Sequence, residues 1–182
     1  MDEHVKSCYL FDAELTYIGD SHYEHVVGAL TKYNGKLLSV GGKYLSNLDD
    51  FEDYSDIEEI GNQKTEILTR DINQNFSWSL IEQDFEFTEG DFIYHHSLVT
   101  VESSDINQEY VLLIGGFNEW NNAIKNVFKF NGNWSLFGQL KKPRYNHNSI
   151  YWNGAVYVIG GTVTNETYQF LKNEKLKLKF GM

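Results

Sequence analysis

Three times the chain runs through a short apolar, β-prone stretch and halts on two glycines. The copies are Lys36-Leu-Leu-Ser-Val-Gly41-Gly42, Tyr110-Val-Leu-Leu-Ile-Gly115-Gly116 and Ala155-Val-Tyr-Val-Ile-Gly160-Gly161. A motif that returns with its flanks is a repeat, and a repeat limits the fold to architectures that add like unit to like unit. The flanks do return. Tyr-x-His opens each unit, at Tyr23/His25, Tyr94/His96 and Tyr145/His147, and Trp-Ser-Leu recurs at Trp78 and Trp134. Asn-Gly, a strong hairpin signal, sits between apolar runs at Asn34-Gly35, Asn131-Gly132 and Asn153-Gly154.

Each unit reads as strand, hairpin, strand ending in Gly-Gly, loop, strand, hairpin, strand. The expected strands are 23–30, 37–40, 65–69 and 78–81, then 94–101, 110–114, 126–130 and 134–137, then 145–152, 155–159, 168–171 and a Lys-rich strand ending near Phe180. Upstream, Cys8–Phe11 and Leu15–Ile18 read as the back half of a unit whose front half is missing. No stretch carries a convincing helical period. The glycine pairs begin at 41, 115 and 160. The longer first interval is explained by a polar insert, 43–63, where Asp49, Asp50, Glu52, Asp53, Asp56, Glu58 and Glu59 crowd together and must be solvated. Four strands per unit of roughly 50 residues is the signature of a β-propeller blade. The chain then divides into a back half-blade at 1–20 and blades at 21–82, 83–138 and 139–182.

Composition excludes several classes. A chain of 182 residues with 41% apolar content can bury a core. Its apolar runs are far shorter than the roughly 20 residues a membrane helix needs. A net charge of −11 disfavours a nucleic-acid backbone as partner, because phosphate binding needs clustered Lys and Arg. The most basic segment, Lys172–Lys179, alternates as a strand does, with Leu176 and Leu178 on one face and Lys175 and Lys177 on the other. Cys8 is the only cysteine, so no intrachain disulfide forms. With no secretory pattern in the first residues, the expectation is a reducing, cytoplasmic setting.

The apolar run closing on Gly-Gly, a Tyr or Phe about a dozen residues on, and a Trp opening the last strand resemble the kelch repeat from about Tyr23 to Phe180. The resemblance implies a propeller of radially arranged, four-stranded antiparallel blades serving as a protein-interaction platform. Two departures stand out. The third unit has Lys175 to Phe180 where the tryptophan is expected, and the first carries the insert. Three and a half blades also fall short of the usual four to eight or so. The expectation is therefore an incomplete propeller, its missing blades supplied by a longer chain or a second copy.

The recurring residues read as structural. His25, His96 and His147 are expected to repeat one hydrogen-bonding plan, and Trp78 and Trp134 to pack between blades. Gly41, Gly42, Gly115, Gly116, Gly160 and Gly161 lack the following helix and Lys-Ser/Thr of a phosphate cradle and read as strand ends with positive φ. His95 and His96, adjacent on a strand, should point to opposite faces, which disfavours a metal pair. No cofactor, metal or catalytic constellation is expected.

Function is expected in the loops. Antiparallel order gathers at one end the insert, the loops 117–122 and 162–166, and the links near Ser21, Glu89 and Arg144. Tyr44, Asp49, Asp50, Glu52, Asp53, Tyr54, Trp120 and Arg144 would share that end, a protein-binding surface for a basic partner with Trp120 and Arg144 as anchors. The competing class is a propeller-borne enzyme, such as a carbohydrate-acting one of the copper-radical (galactose oxidase-like) type. That reading requires converging His, Tyr or carboxylates at the propeller mouth.

Overall fold

The computed structural model describes residues 6–12, 14–23, 25–45, 59–82, 87, 93–103, 108–163 and 174–177. All regular structure among them is β-strand, in several antiparallel sheets, none of which closes on itself. β1 (Ser7–Asp12) and β2 (Glu14–Asp20) form a hairpin. β3 (Ala29–Tyr33), β4 (Lys36–Leu45), β5 (Glu59–Arg70) and β6 (Phe76–Leu80) make a four-stranded meander, the first unit. After β7 (Ile93–Tyr94), the second unit runs through β8 (Ser97–Ser103), β9 (Gln108–Ile114), β10 (Phe117–Asn118), β11 (Asn126–Phe130) and β12 (Trp134–Gln139). Its sheet order is β8-β9-β11-β12, and β10 pairs with β7 instead. β13 (Tyr145–Trp152), β14 (Ala155–Thr162) and β15 (Glu174–Lys177) form the third unit.

Several boundaries differ from the sequence reading, each for a local reason. The strand expected over 23–30 begins only at Ala29, because the chain turns first. Val27 adopts φ +50°, and the Gly28 N–H bonds the His25 carbonyl at 2.9 Å. Similarly, His95 at φ +55° splits the strand expected over 94–101 into β7 and β8. Within the expected insert, β4 and β5 stay paired from Gly42–Asn62 out to Leu45–Glu59. The ladder therefore reaches into both ends of the span 43–63, and residues 46–58 lie outside the described residues. In the third unit the Lys-rich strand pairs directly with β14, taking the third place in the sheet rather than the fourth. The strand expected over 168–171 lies outside the described residues. Asn34-Gly35 and Asn153-Gly154 are two-residue turns with positive φ throughout, as the primed hairpin types require. At Asn131-Gly132 the loop holds three residues and only Gly132 takes positive φ.

The first strands of the three units, β3, β8 and β13, lie side by side, and two apolar cores fill the spaces between sheets. Leu38 and Val40 of β4 meet Val111 and Leu113 of β9, with Phe128, Phe130 and Trp134 completing the first core. Val99, Val101, Leu112 and Ile114 meet Val156 and Val158 of β14 in the second. Odd and even positions of one strand therefore serve different neighbours. Each fully buried aliphatic side chain contributes about 1.5–3 kcal/mol relative to exposure, so these junctions hold the units in register.

Candidate functional site

The glycine pairs organise each junction. All six glycines take positive φ, between +57° and +127°. A Cβ on Gly41 would lie 3.1 Å from Cε1 of His96, and one on Gly115 would lie 2.9 Å from Cε1 of His147. The first glycine thus seats the histidine of the following unit. The second glycine backs onto its own unit: a Cβ on Gly42, Gly116 or Gly161 would come within about 2.9 Å of His25, His96 or His147 respectively. The expected shared hydrogen-bonding plan for the histidines holds for His96 and His147 but not for His25. His147 Nε2 meets Ser97 Oγ at 2.9 Å, whereas His96 is buried against the Val40 and Gly41 backbone. His96 and His147 share a seat on the first glycine and a bond to the backbone of the residue before it, Val40 and Ile114 respectively. Burial, with a like-charged neighbour added, holds His96 down to about 3 and His147 down to about 4.

His25 behaves differently because no glycine pair precedes it among the described residues. Its Nδ1 lies 2.6 Å from the Gly41 carbonyl and its Nε2 lies 2.8 Å from Glu66 Oε2. Both are acceptors, so each ring nitrogen faces a hydrogen-bond acceptor. Glu66 is fully buried and also accepts the backbone N–H groups of His22 at 2.8 Å and Tyr23 at 3.1 Å, with His22 Nδ1 at 2.6 Å. Burial opposes ionisation of Glu66, but these bonds outweigh it and lower its pKa to about 2. The sequence offered no signal for this cluster, since Glu66 reads as one polar position in a strand and its partners lie more than 40 residues away.

The tryptophans reach between units. The indole N–H of Trp134 donates to Thr65 Oγ1, on the third strand of the preceding unit, at 2.9 Å. Trp78 holds the same place one unit earlier and meets Cys8 on β1. β1 therefore stands where a third strand stands and β2 where a fourth stands. Beside them a cavity of about 310 Å³, lined by Cys8, His25, Leu30, Ser39 and Trp78 among others, opens where first and second strands would lie. Burial pushes the Cys8 thiol up, away from nucleophilic chemistry.

At one end of the sheets an aromatic cluster of Tyr94, Phe117 and Tyr145 packs with Ala123. Phe117 stacks on Tyr145 at 3.8 Å, and Lys43 Nζ sits 4.2 Å above the Tyr94 ring. His95 lies against the same rings, and burial with Lys43 nearby lowers its pKa. His96, by contrast, sits against Gly41. A backbone ladder crosses the units here: the His95 N–H donates to the Val27 carbonyl at 2.8 Å, and the Asn146 N–H to the His95 carbonyl at 3.1 Å. Above the cluster a tight turn projects Trp120, 55% exposed. Asn118 fixes that turn, accepting from Asn121 N–H at 3.0 Å on its carbonyl and from Asn122 N–H at 2.9 Å on Oδ1. Tyr94 Oη also bonds Asn121 Oδ1.

Of the residues expected on this end, Trp120 is exposed. Arg144 is not. It is buried, and its Nη1 donates to the Gly160 carbonyl at 2.8 Å, tying the link before β13 to the end of β14. Tyr44 belongs to β4, opposite Ile60. Asp49, Asp50, Glu52, Asp53 and Tyr54 lie outside the described residues.

No protein-family model matches the chain. No curated protein matches it either. Among solved structures, that of YjhT superposes with a TM-score of 0.68 at 17% identity. The fold is similar to that of YjhT. The match covers 96% of this chain and 50% of that one, so the chain spans about half the length of YjhT.

Proposed function

We propose that the chain is a partial kelch-type β-propeller whose loop-bearing end binds a basic protein partner. The propeller reading is supported by three units of one plan set side by side with their first strands adjacent, and by the likeness to YjhT. The observation that carries the binding reading is Trp120. A large apolar ring held out on a turn braced by three backbone and side-chain bonds loses little entropy on binding, which is how interface anchors are built. The acidic run from Asp49 to Glu59 lies in sequence between the Gly42 end of β4 and the start of β5. It supplies the charge that would steer and select a Lys/Arg-rich partner.

Fluorescence anisotropy with a panel of labelled Lys/Arg-rich peptides tests this. Binding in the micromolar range is expected, weakened at least tenfold by Trp120→Ala and again by raising salt from 50 to 500 mM, roughly as screening dictates. Binding that ignores Trp120, or no binding by any basic peptide, overturns the reading.

A further inference from the structure

The two ends of the unit array are complementary, and each lacks what the other carries. In the second unit, Ile114 precedes the glycine pair, and Val99 and Val101 lie on its outward face. All three are buried by the third unit. The matching positions of the third unit, by strand register, are Ile159, Ile150 and Trp152. They are 46%, 54% and 64% exposed, and Tyr157 lies beside Trp152 with ring centroids 5.9 Å apart. Gly41 and Gly115 each seat a histidine, whereas a Cβ on Gly160 would meet nothing within 4 Å. At the other end, Leu30 is 57% exposed where its counterpart Leu98 packs into the first core. His25, the one repeat histidine without a preceding glycine seat, lines the cavity left beside β1 and β2.

We propose that a second copy of this chain docks head to tail. The β13–β14 hairpin of one copy packs against the face beside β1–β2 of the other, its outward side chains entering the cavity there, and His25 of that copy seats on Gly160. The interface continues a packing already made twice within the chain, at Gly41 with His96 and at Gly115 with His147. Repeating the contact at both ends closes a ring of two, because a head-to-tail interface either closes by rotation or runs on as a filament. Two copies also supply the length of one YjhT-like chain, of which this chain spans half. In the joined sheet the order becomes β13-β14-β1-β2. The six residues of β1 then replace the four of β15 on the edge of β14. The proposal concerns the faces and edges of the end sheets and does not depend on what the loop-bearing end binds.

Sedimentation velocity across a hundredfold concentration range, together with light scattering, tests it. The expected species is a dimer of the 21.1 kDa chain. Trp152→Asp and Leu30→Asp each change a side chain already exposed in the single chain, so each should leave a folded monomer, with the dissociation constant raised at least a hundredfold. Leu136→Asp, at an exposed position on β12 away from both faces, should remain dimeric. Mixing the Trp152→Asp and Leu30→Asp chains should restore a dimer, since one of its two junctions is then unaltered. A wild-type chain that stays monomeric throughout overturns the proposal. So does a dimer that survives Leu30→Asp, which would signify tail-to-tail pairing, or a mass that rises without limit, which would signify an open filament.

Discussion

The junction between the second and third units and the outward face of the third unit are built from the same positions of the same repeat, yet one is closed and the other bare. Ile114 and Ile159 each precede a glycine pair, but only Ile114 is covered. Gly115 carries the imidazole of His147, and Gly160 carries nothing. The side-chain pattern is thus written for a neighbour on both sides, and it is the neighbour that turns an apolar position into a core position. A repeat position has no fixed energetic worth until its partner unit is in place.

The sharpest way to break that comparison is to place a charge at both positions, in the Leu30→Asp chain so that the third unit stays bare. Ile114→Asp buries an unpaired carboxylate and should cost more than about 4 kcal/mol, enough to unfold a marginal domain. Ile159→Asp should stay within about 0.5 kcal/mol of its parent, as exposed substitutions do. Urea denaturation followed by tryptophan fluorescence reads both, and equal losses would mean the two faces do not differ as described.

A second comparison lies within the first unit, whose Glu66 sits where the second unit has Phe128, each pairing with the residue two before a glycine pair. Glu66→Gln removes the buried carboxylate on which His22, Tyr23 and His25 converge and should cost about 3 kcal/mol in the same assay. A loss under about 1 kcal/mol would show that the carboxylate charge does not hold this cluster together.

Acid should weaken the junctions at the histidines before it reaches Glu66. His147 titrates at about 4 in the fold against 6.5 as a model group, so the unfolded chain takes up the proton first. Its contribution is complete above pH 6.5 and is lost as pH falls towards about 4, a change of about 3 kcal/mol at most. Glu66 acts lower, its contribution complete above about 4.5 and lost as pH falls towards about 2. His147→Gln should therefore reduce the slope of the stability profile between pH 6.5 and 4 by about half, His96 supplying the rest, and an unchanged slope there would remove His147 as a source.

The sequence carried the unit plan because glycine pairs, Asn-Gly turns and Trp-Ser-Leu are local signals whose physics is complete within a few residues. Asn34-Gly35 and Asn153-Gly154 fold as read, since a two-residue turn needs only its own two positive φ values. What stayed hidden depends on contacts between units. The shared fate of His96 and His147 is a packing against glycines 55 and 32 residues upstream, a relation no short window contains. Arg144 looked like a surface anchor because a lone arginine in a link reads as exposed. The Gly160 carbonyl that draws it inward is invisible until β14 is placed. The turn that carries Trp120 is built by the Asn residues around it, through bonds that span four residues or fewer.

The claim that an imidazole seated on glycine joins neighbouring units is tested most directly by comparing Gly115→Ala with Gly160→Ala in the monomeric Leu30→Asp chain. Both positions have positive φ, +57° and +73°, so both changes carry a backbone cost of about 1–2 kcal/mol. Only at position 115 does the new Cβ meet His147 at 2.9 Å and the Arg144 carbonyl at 2.5 Å. The account predicts that Gly115→Ala loses at least about 2 kcal/mol more than Gly160→Ala in equilibrium urea unfolding. Equal losses would contradict it, leaving backbone strain as the whole reason for the glycines.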